Sequence, residues 1–153
     1  MIESADDDAA VGQVGEVSRF QIKPWIWRLY SQSEDYQNAV IASYVAEKHL
    51  ASLEQNFRKR ARREATDFDL YVLWNAGPTY YGRIGFSSAR VHPVIRDRAQ
   101  RYANLREAKS LIASATTEGA KEFAPRTLVT AQKNVIDTDS FITANRHDTA
   151  KIS

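Results

Sequence analysis

Residues 66–78 read T-D-F-D-L-Y-V-L-W-N-A-G-P, and this stretch decides the fold. Thr66 followed three positions later by Asp69 is a helix-start signature. The hydroxyl accepts from a first-turn N–H, and the acid is favoured near the positive end of the helix. Phe68, Tyr71, Val72 and Trp74 then leave almost no polar face, so the spacing predicts a helix buried at the centre of a domain. Gly77 suits a left-handed cap, and Pro78 is expected to stop the helix there. A helix apolar all round needs neighbours on every side, and the flanking sequence says what kind they are.

Upstream, residues 39–57 repeat apolar side chains at helical spacing: Ala46, Leu50, Leu53 and Phe57 form one stripe, with Ile41 and Val45 beside it. Before them FQIKPWIWRLY (20–30) crowds aromatics around Pro24, which suits the first turn of a short helix running to about Tyr30. Residues 5–18, polar and punctuated by Gly12 and Gly15, read as a loop. Downstream, TYYGRIGFSS (79–88) is expected to be a loop. Ser87 or Ser88 would cap a helix with Pro93 in its first turn and Val91, Ile95, Ala99 and Tyr102 on its inner stripe. No segment sustains the period-two alternation of a half-buried strand, so the fold class is all-α.

Near Leu105 the composition shifts: residues 106–153 contain no tryptophan or tyrosine. Leu111, Ile112 and Ala115 predict one helix ending near Gly119, and Pro125 opens another with Leu128, Ala131, Val135 and Ile142 on one face. The chain is therefore expected to comprise a front domain, 1–105, and a helical hairpin, 106–153, whose thin apolar stripe needs support beyond itself.

The 153 residues suffice for a single core without staples. With 43% hydrophobic and 26% charged residues the composition is that of a globular protein. No cysteine is present, which excludes disulfides, thiolate nucleophiles and sulfur-ligated metals. Three scattered histidines, His49, His92 and His147, give no metal-site spacing, so neither metal nor cofactor is expected. No apolar run approaches the roughly 20 residues of a bilayer span, and MIESADDDAA carries acids where a signal peptide carries basic residues. The net charge of +2 hides a gradient: residues 1–16 hold five acids and no base, whereas 58–106 hold eleven Lys and Arg against four acids. RKRARR (58–63) is the densest part. It has no interleaved aromatic platform, so a solvated helix face is the plain reading and a basic helical nucleic-acid binder is a third functional option; no nucleic-acid partner is expected.

Four segments in order carry a more specific signal: Ile2-Glu3-Ser4, the loop around Gly12 and Gly15, Arg19-Phe20-Gln21-Ile22-Lys23-Pro24, and Leu73-Trp74-Asn75-Ala76-Gly77-Pro78, with the long helix of 39–57 before the last. Together they resemble the lysozyme-like lytic transglycosylases, relatives of goose-type lysozyme, over residues 1 to about 105. Trp74 stands where that family usually has tyrosine, and Arg19-Phe20 replaces its common approach to the glutamine. The resemblance implies a lysozyme-like helical domain, N-terminally truncated because Glu3 lies so near Met1, that cleaves peptidoglycan between N-acetylmuramic acid and N-acetylglucosamine. Glu3 matches the single catalytic acid. It would protonate the glycosidic oxygen and then, as carboxylate, take the proton of the muramoyl C6 hydroxyl, leaving a 1,6-anhydro sugar. A two-carboxylate hydrolase would need a second placed acid. An apolar surround of Phe20, Ile22, Tyr71 and Trp74 would keep Glu3 protonated near neutral pH. Gln21 matches a substrate-lining amide, and Asn75 the position that orients the acid or holds an acetamido group. Tyr71, Trp74 and Tyr80 complete the implied substrate-binding set.

The family resemblance places the substrate in the cell envelope or periplasm; without a signal peptide the alternatives are the cytoplasm or a phage particle. A non-catalytic peptidoglycan-binding or scaffolding relic of the same fold, keeping an aromatic cleft of Trp25, Trp27, Tyr71, Trp74 and Tyr80, is the second reading. In the tail, GAKEFAP (119–125) with the spaced alanines after it resembles a helical envelope module of unknown function, which implies anchoring or spacing at the cell wall.

Overall fold

The computed structural model describes residues 15–119 and 124–144. Among them the secondary structure is helical, without strands, as the absence of alternation predicts. The chain divides into two compact units, Met1–Glu64 and Ala65–Ser153.

In the first unit the described chain opens on a tight turn. Val17 and Ile22 exchange backbone hydrogen bonds of 2.8 and 2.9 Å as an isolated antiparallel bridge. Pro24 then starts α1 (Pro24–Trp27), where its missing N–H costs nothing. Trp27 is fully buried; its indole Nε1 donates to the Ser33 carbonyl at 2.7 Å, and its ring meets Tyr36 edge-on at 5.1 Å. That satisfied core position removes Trp27 from the aromatic cleft expected above. Trp25, two residues earlier, is 63% exposed.

Helix α2 (Ala39–Ala61) begins at Asn38, whose side chain accepts from the Val40 and Ile41 amides and so satisfies two orphan donors. Ala42, Val45, Ala46, Leu53 and Phe57 are its buried stripe, close to the expected one, with Leu50 and Ile41 half-buried. The helix runs about one turn past Phe57, through the basic cluster, because cations complement the negative end of the helix dipole. Arg62 closes it in the left-handed conformation, φ 58°. Arg58 pairs with Glu64 at 3.0 Å, and the Arg63 guanidinium lies over the Phe57 ring at 4.7 Å. The cluster is thus a solvated helix end with local partners.

In the second unit α3 (Asp67–Asn75) carries the expected capping box, Asp69 N–H to Thr66 Oγ1 and Thr66 N–H to the Asp69 carboxylate. The expected burial all round is only partly met: Asp69, Val72 and Leu73 are buried, whereas Phe68, Tyr71 and Trp74 are half-buried. Gly77 takes φ +84°, as expected of a left-handed cap, but the chain does not enter a loop. Helix α4 (Gly77–Arg83) restarts at once, with Pro78 in the first turn, where proline is welcome. Ser88–Arg90 form one 3-10 turn, and α5 (Pro93–Thr117) starts from His92, which makes no side-chain cap. Ser87 and Ser88 therefore do not cap it. Pro93 does occupy its first turn.

Helix α5 passes unbroken through Leu105 and Arg106, so the change in composition there marks no break in the backbone. Leu105 is buried and Ala108 and Ile112 half-buried, continuing the inner stripe begun by Val91 and Ala99. Gly119, φ +90°, follows its end, and α6 (Pro125–Ala144) returns against α5. Leu128 is buried, Ala131 and Val135 are half-buried, and Lys109 bonds Asp139 across the hairpin at 2.7 Å. The Ile142 side chain lies outside the described residues. The hairpin is supported as its thin stripe requires, since α5 also packs on α3.

One titratable group in the first unit gives a pH dependence. His49 on α2 is partly buried against Tyr30, their ring centroids 6.1 Å apart, and desolvation lowers its pKa below the ordinary value. The unfolded chain then takes up this proton before the folded one does, so stability falls as pH drops through about 6.5 and is unaffected by this group well above it. His49→Gln is expected to flatten the fall in urea midpoint between about pH 7.5 and pH 5.5. An unaltered profile would contradict the assignment.

Candidate functional site

The candidate residues fall in both units. Glu3 lies outside the described residues. Gln21 belongs to the first unit, and Tyr71, Trp74, Asn75 and Tyr80 belong to the second.

Gln21 occupies the turn closed by the Val17–Ile22 bridge. Its backbone is left-handed, φ 51°, as is that of Ser18 at 66°. Such conformations cost a non-glycine residue of the order of 1 kcal/mol and persist only where the surroundings impose them. Here the Gln21 amide and side-chain Nε2 both donate to the Ser18 carbonyl, at 3.0 and 3.1 Å, and the Phe20 amide donates to Ser18 Oγ at 3.3 Å. Ser18 itself is buried. The turn therefore holds the Gln21 side chain half-buried in a defined position.

On α3, Tyr71, Trp74 and Asn75 share one face through their i, i+3 and i, i+4 spacing. Tyr71 packs against Tyr102 of α5 at a centroid distance of 5.6 Å. Trp74 is half-buried. Asn75 is exposed, and its Nδ2 donates back to the Tyr71 carbonyl, one turn earlier, at 2.9 Å. Tyr80, beyond the elbow on α4, uses its hydroxyl to accept the His92 amide at 2.8 Å and so ties α4 to the start of α5. Tyr71, Trp74 and Asn75 thus form a group, whereas the Tyr80 hydroxyl is engaged in joining two elements.

The residues that fix this arrangement are ones the sequence reading gave only a capping role or none. The Asp69 carboxylate is buried and accepts three hydrogen bonds: from Thr66 N–H at 2.8 Å, Thr66 Oγ1 at 2.7 Å and the Tyr81 hydroxyl at 2.6 Å. Tyr81 is fully buried, its ring held edge-on by Phe86 at 5.5 Å. One carboxylate therefore joins the start of α3 to the middle of α4 across the Gly77 elbow. The capping pattern revealed one half of this link; the other spans twelve residues and depends on a turn that restarts as helix.

Among the described residues no group of three or more His, Asp or Glu is arranged to hold a metal ion, and no helix is long and apolar enough to cross a membrane. Comparison with known proteins gives no match, whether to family models, curated proteins or solved structures.

Because the Asp69 link is buried and charge-assisted, removing one donor is costly. Tyr81→Phe is expected to lower unfolding free energy by about 1–3 kcal/mol, and Thr66→Ala by about 0.5–2 kcal/mol. Asn75→Ala, altering an exposed amide, should cost less than either. Urea denaturation of the full chain reads all three; a Tyr81→Phe midpoint equal to the parent's would contradict the link.

Proposed function

We propose that the chain binds murein glycan strands and cleaves them between N-acetylmuramic acid and N-acetylglucosamine, with Glu3 as the single acid and base, and that residues 1 to about 105 form a lysozyme-like domain. The observation that carries this reading is the ordered set of segments ending in Trp74-Asn75-Ala76-Gly77-Pro78, of which two fall among the described residues in unusual backbone geometry. Gln21 sits at positive φ without being glycine, and Gly77 makes a sharp elbow beside Trp74 and Asn75. Strain retained at a polar residue in a tied-down turn is the pattern of a residue kept for its side chain.

In the proposed reaction Glu3 gives its proton to the glycosidic oxygen, releasing the N-acetylglucosamine hydroxyl. The muramoyl C6 oxygen attacks C1, and its proton passes to the Glu3 carboxylate. No water is consumed, and the acid is regenerated, so one carboxyl suffices. Trp74 offers a flat apolar surface for a sugar ring and Asn75 an amide for an acetamido group or for the acid. Gln21, in the first unit, is the substrate-lining amide that the resemblance implies. The substrate class places the reaction at the cell wall.

The test uses the full chain on purified sacculi, with products separated and weighed. Muropeptides ending in 1,6-anhydromuramic acid are expected, and Glu3→Gln should abolish them, a loss of at least about 10²-fold. Products with free reducing ends would overturn the lytic chemistry, and no release at all would overturn the enzyme.

A second reading has its own support in Trp25, exposed on the first unit beside Leu29, which is 66% exposed. Such a ring suits sugar stacking in a non-catalytic murein binder. Co-sedimentation with sacculi without soluble sugar, weakened by Trp25→Ala, is its expected signature.

The strained turn separates stability from function. Gln21→Gly relieves the positive φ but loses the Nε2–Ser18 bond and loosens the unfolded chain, so stability should stay within about 1 kcal/mol of the parent while murein cleavage falls. A variant as active as the parent would remove Gln21 from the site.

A further inference from the structure

Helix α6 carries two apolar pairs, each with heptad spacing. Leu128 and Val135 turn toward α5, the first buried and the second half-buried. Val129 and Ile136 follow each by one residue, a rotation of about 100° on a helix, and both are 63% exposed. Among the described residues, the apolar arc of α6 is therefore wider than the face packed on α5.

The charges flanking this second stripe have a polarity of their own. Arg126 lies one turn before Val129, and Asp137 directly after Ile136; both are exposed. Eleven residues separate them, three helical turns, so they share one edge of the stripe. Two α6 helices laid side by side in parallel would put Arg126 and Asp137 of one copy on the opposite side of the seam from those of the other, so neither would have a partner. Laid antiparallel about a two-fold axis between residues 131 and 132, each Arg126 stands level with Asp137 of a second copy. Val129 then falls within two residues of the second copy's Ile136. The antiparallel register satisfies both the apolar and the ionic requirement, whereas the parallel one leaves the ionic requirement unmet.

We propose that the exposed stripe of α6 is a self-association surface, on which a second copy of this chain docks through an antiparallel α6–α6 contact. The surface is isologous: each copy supplies the same apolar pair and one member of each of two ion pairs. It is independent of the glycan chemistry proposed above, since Glu3, Gln21 and Trp74 take no part in it.

The experiment is sedimentation equilibrium of the full chain from about 1 to 100 µM, the span of weak to moderate dimers. A monomer–dimer equilibrium is expected. Ile136→Asp should raise the dissociation constant about tenfold or more, with unchanged circular dichroism showing that the hairpin still folds. Arg126→Asp and Asp137→Arg should each weaken the dimer, and the double exchange should restore it. Orientation is read separately, because the chain has no cysteine of its own. A single Lys133→Cys lies beside the two-fold axis and should cross-link to its copy. A single Arg126→Cys, about 16 Å along the axis from its copy, should not. A monomer at every concentration, or equal cross-linking at both positions, would overturn the proposal.

Discussion

A buried carboxylate cannot be left without donors, and Asp69 has three, supplied by Thr66 and Tyr81. Much of the second unit follows from that requirement. Thr66 must start α3 where the carboxylate can reach back to it. Tyr81 must lie within α4 one turn beyond Pro78, and the backbone must reverse sharply between the two helices. Only a residue tolerant of positive φ can make that reversal cheaply, and Gly77 is there at +84°. The elbow in turn leaves Trp74 half-buried and Asn75 exposed at the end of α3, while Tyr80 is drawn to the first residues before α5.

What was legible in the sequence was what local chemistry decides. The Thr66–Asp69 capping box, the prolines at the starts of α1 and α5, the buried stripe of α2 and the paired helices of the tail all have signals within a few residues of the effect. The misread features depend on tertiary contacts. Gly77-Pro78 ends one helix and opens another with the same two residues, so a stop signal could not be told from an elbow. Helix α5 runs through Leu105 because the inner stripe continues with Leu105, Ala108 and Ile112, so the change in composition there carries no signal of a helix end. Trp27 looked like a groove aromatic until its indole was seen to serve the Ser33 carbonyl. Asp69 passed as a simple capping acid because its second partner is a tyrosine in a stretch read as loop.

The candidate site was legible as motif and not as geometry. Gln21 could be marked from its place between Phe20 and Ile22; its left-handed backbone and its bonds to Ser18 come from the turn that Val17 and Ile22 close. Asn75 could be marked from the N-A-G-P run; its bond back to the Tyr71 carbonyl depends on the helix geometry. The exposed i, i+4 bond holds the Asn75 side chain in place with little burial. The exposed stripe of α6 lies apart from the face of that helix that packs on α5.

The central proposal is that this chain binds a murein glycan. It is tested most directly by titrating a ¹⁵N-labelled full chain with a soluble muropeptide tetrasaccharide. The account predicts saturable shifts of the Trp74 indole, the Asn75 and Gln21 side-chain amides and the Glu3 backbone amide, with the buried Trp27 indole unmoved. Shifts confined to the 58–63 cluster, or none at saturating ligand, would contradict it.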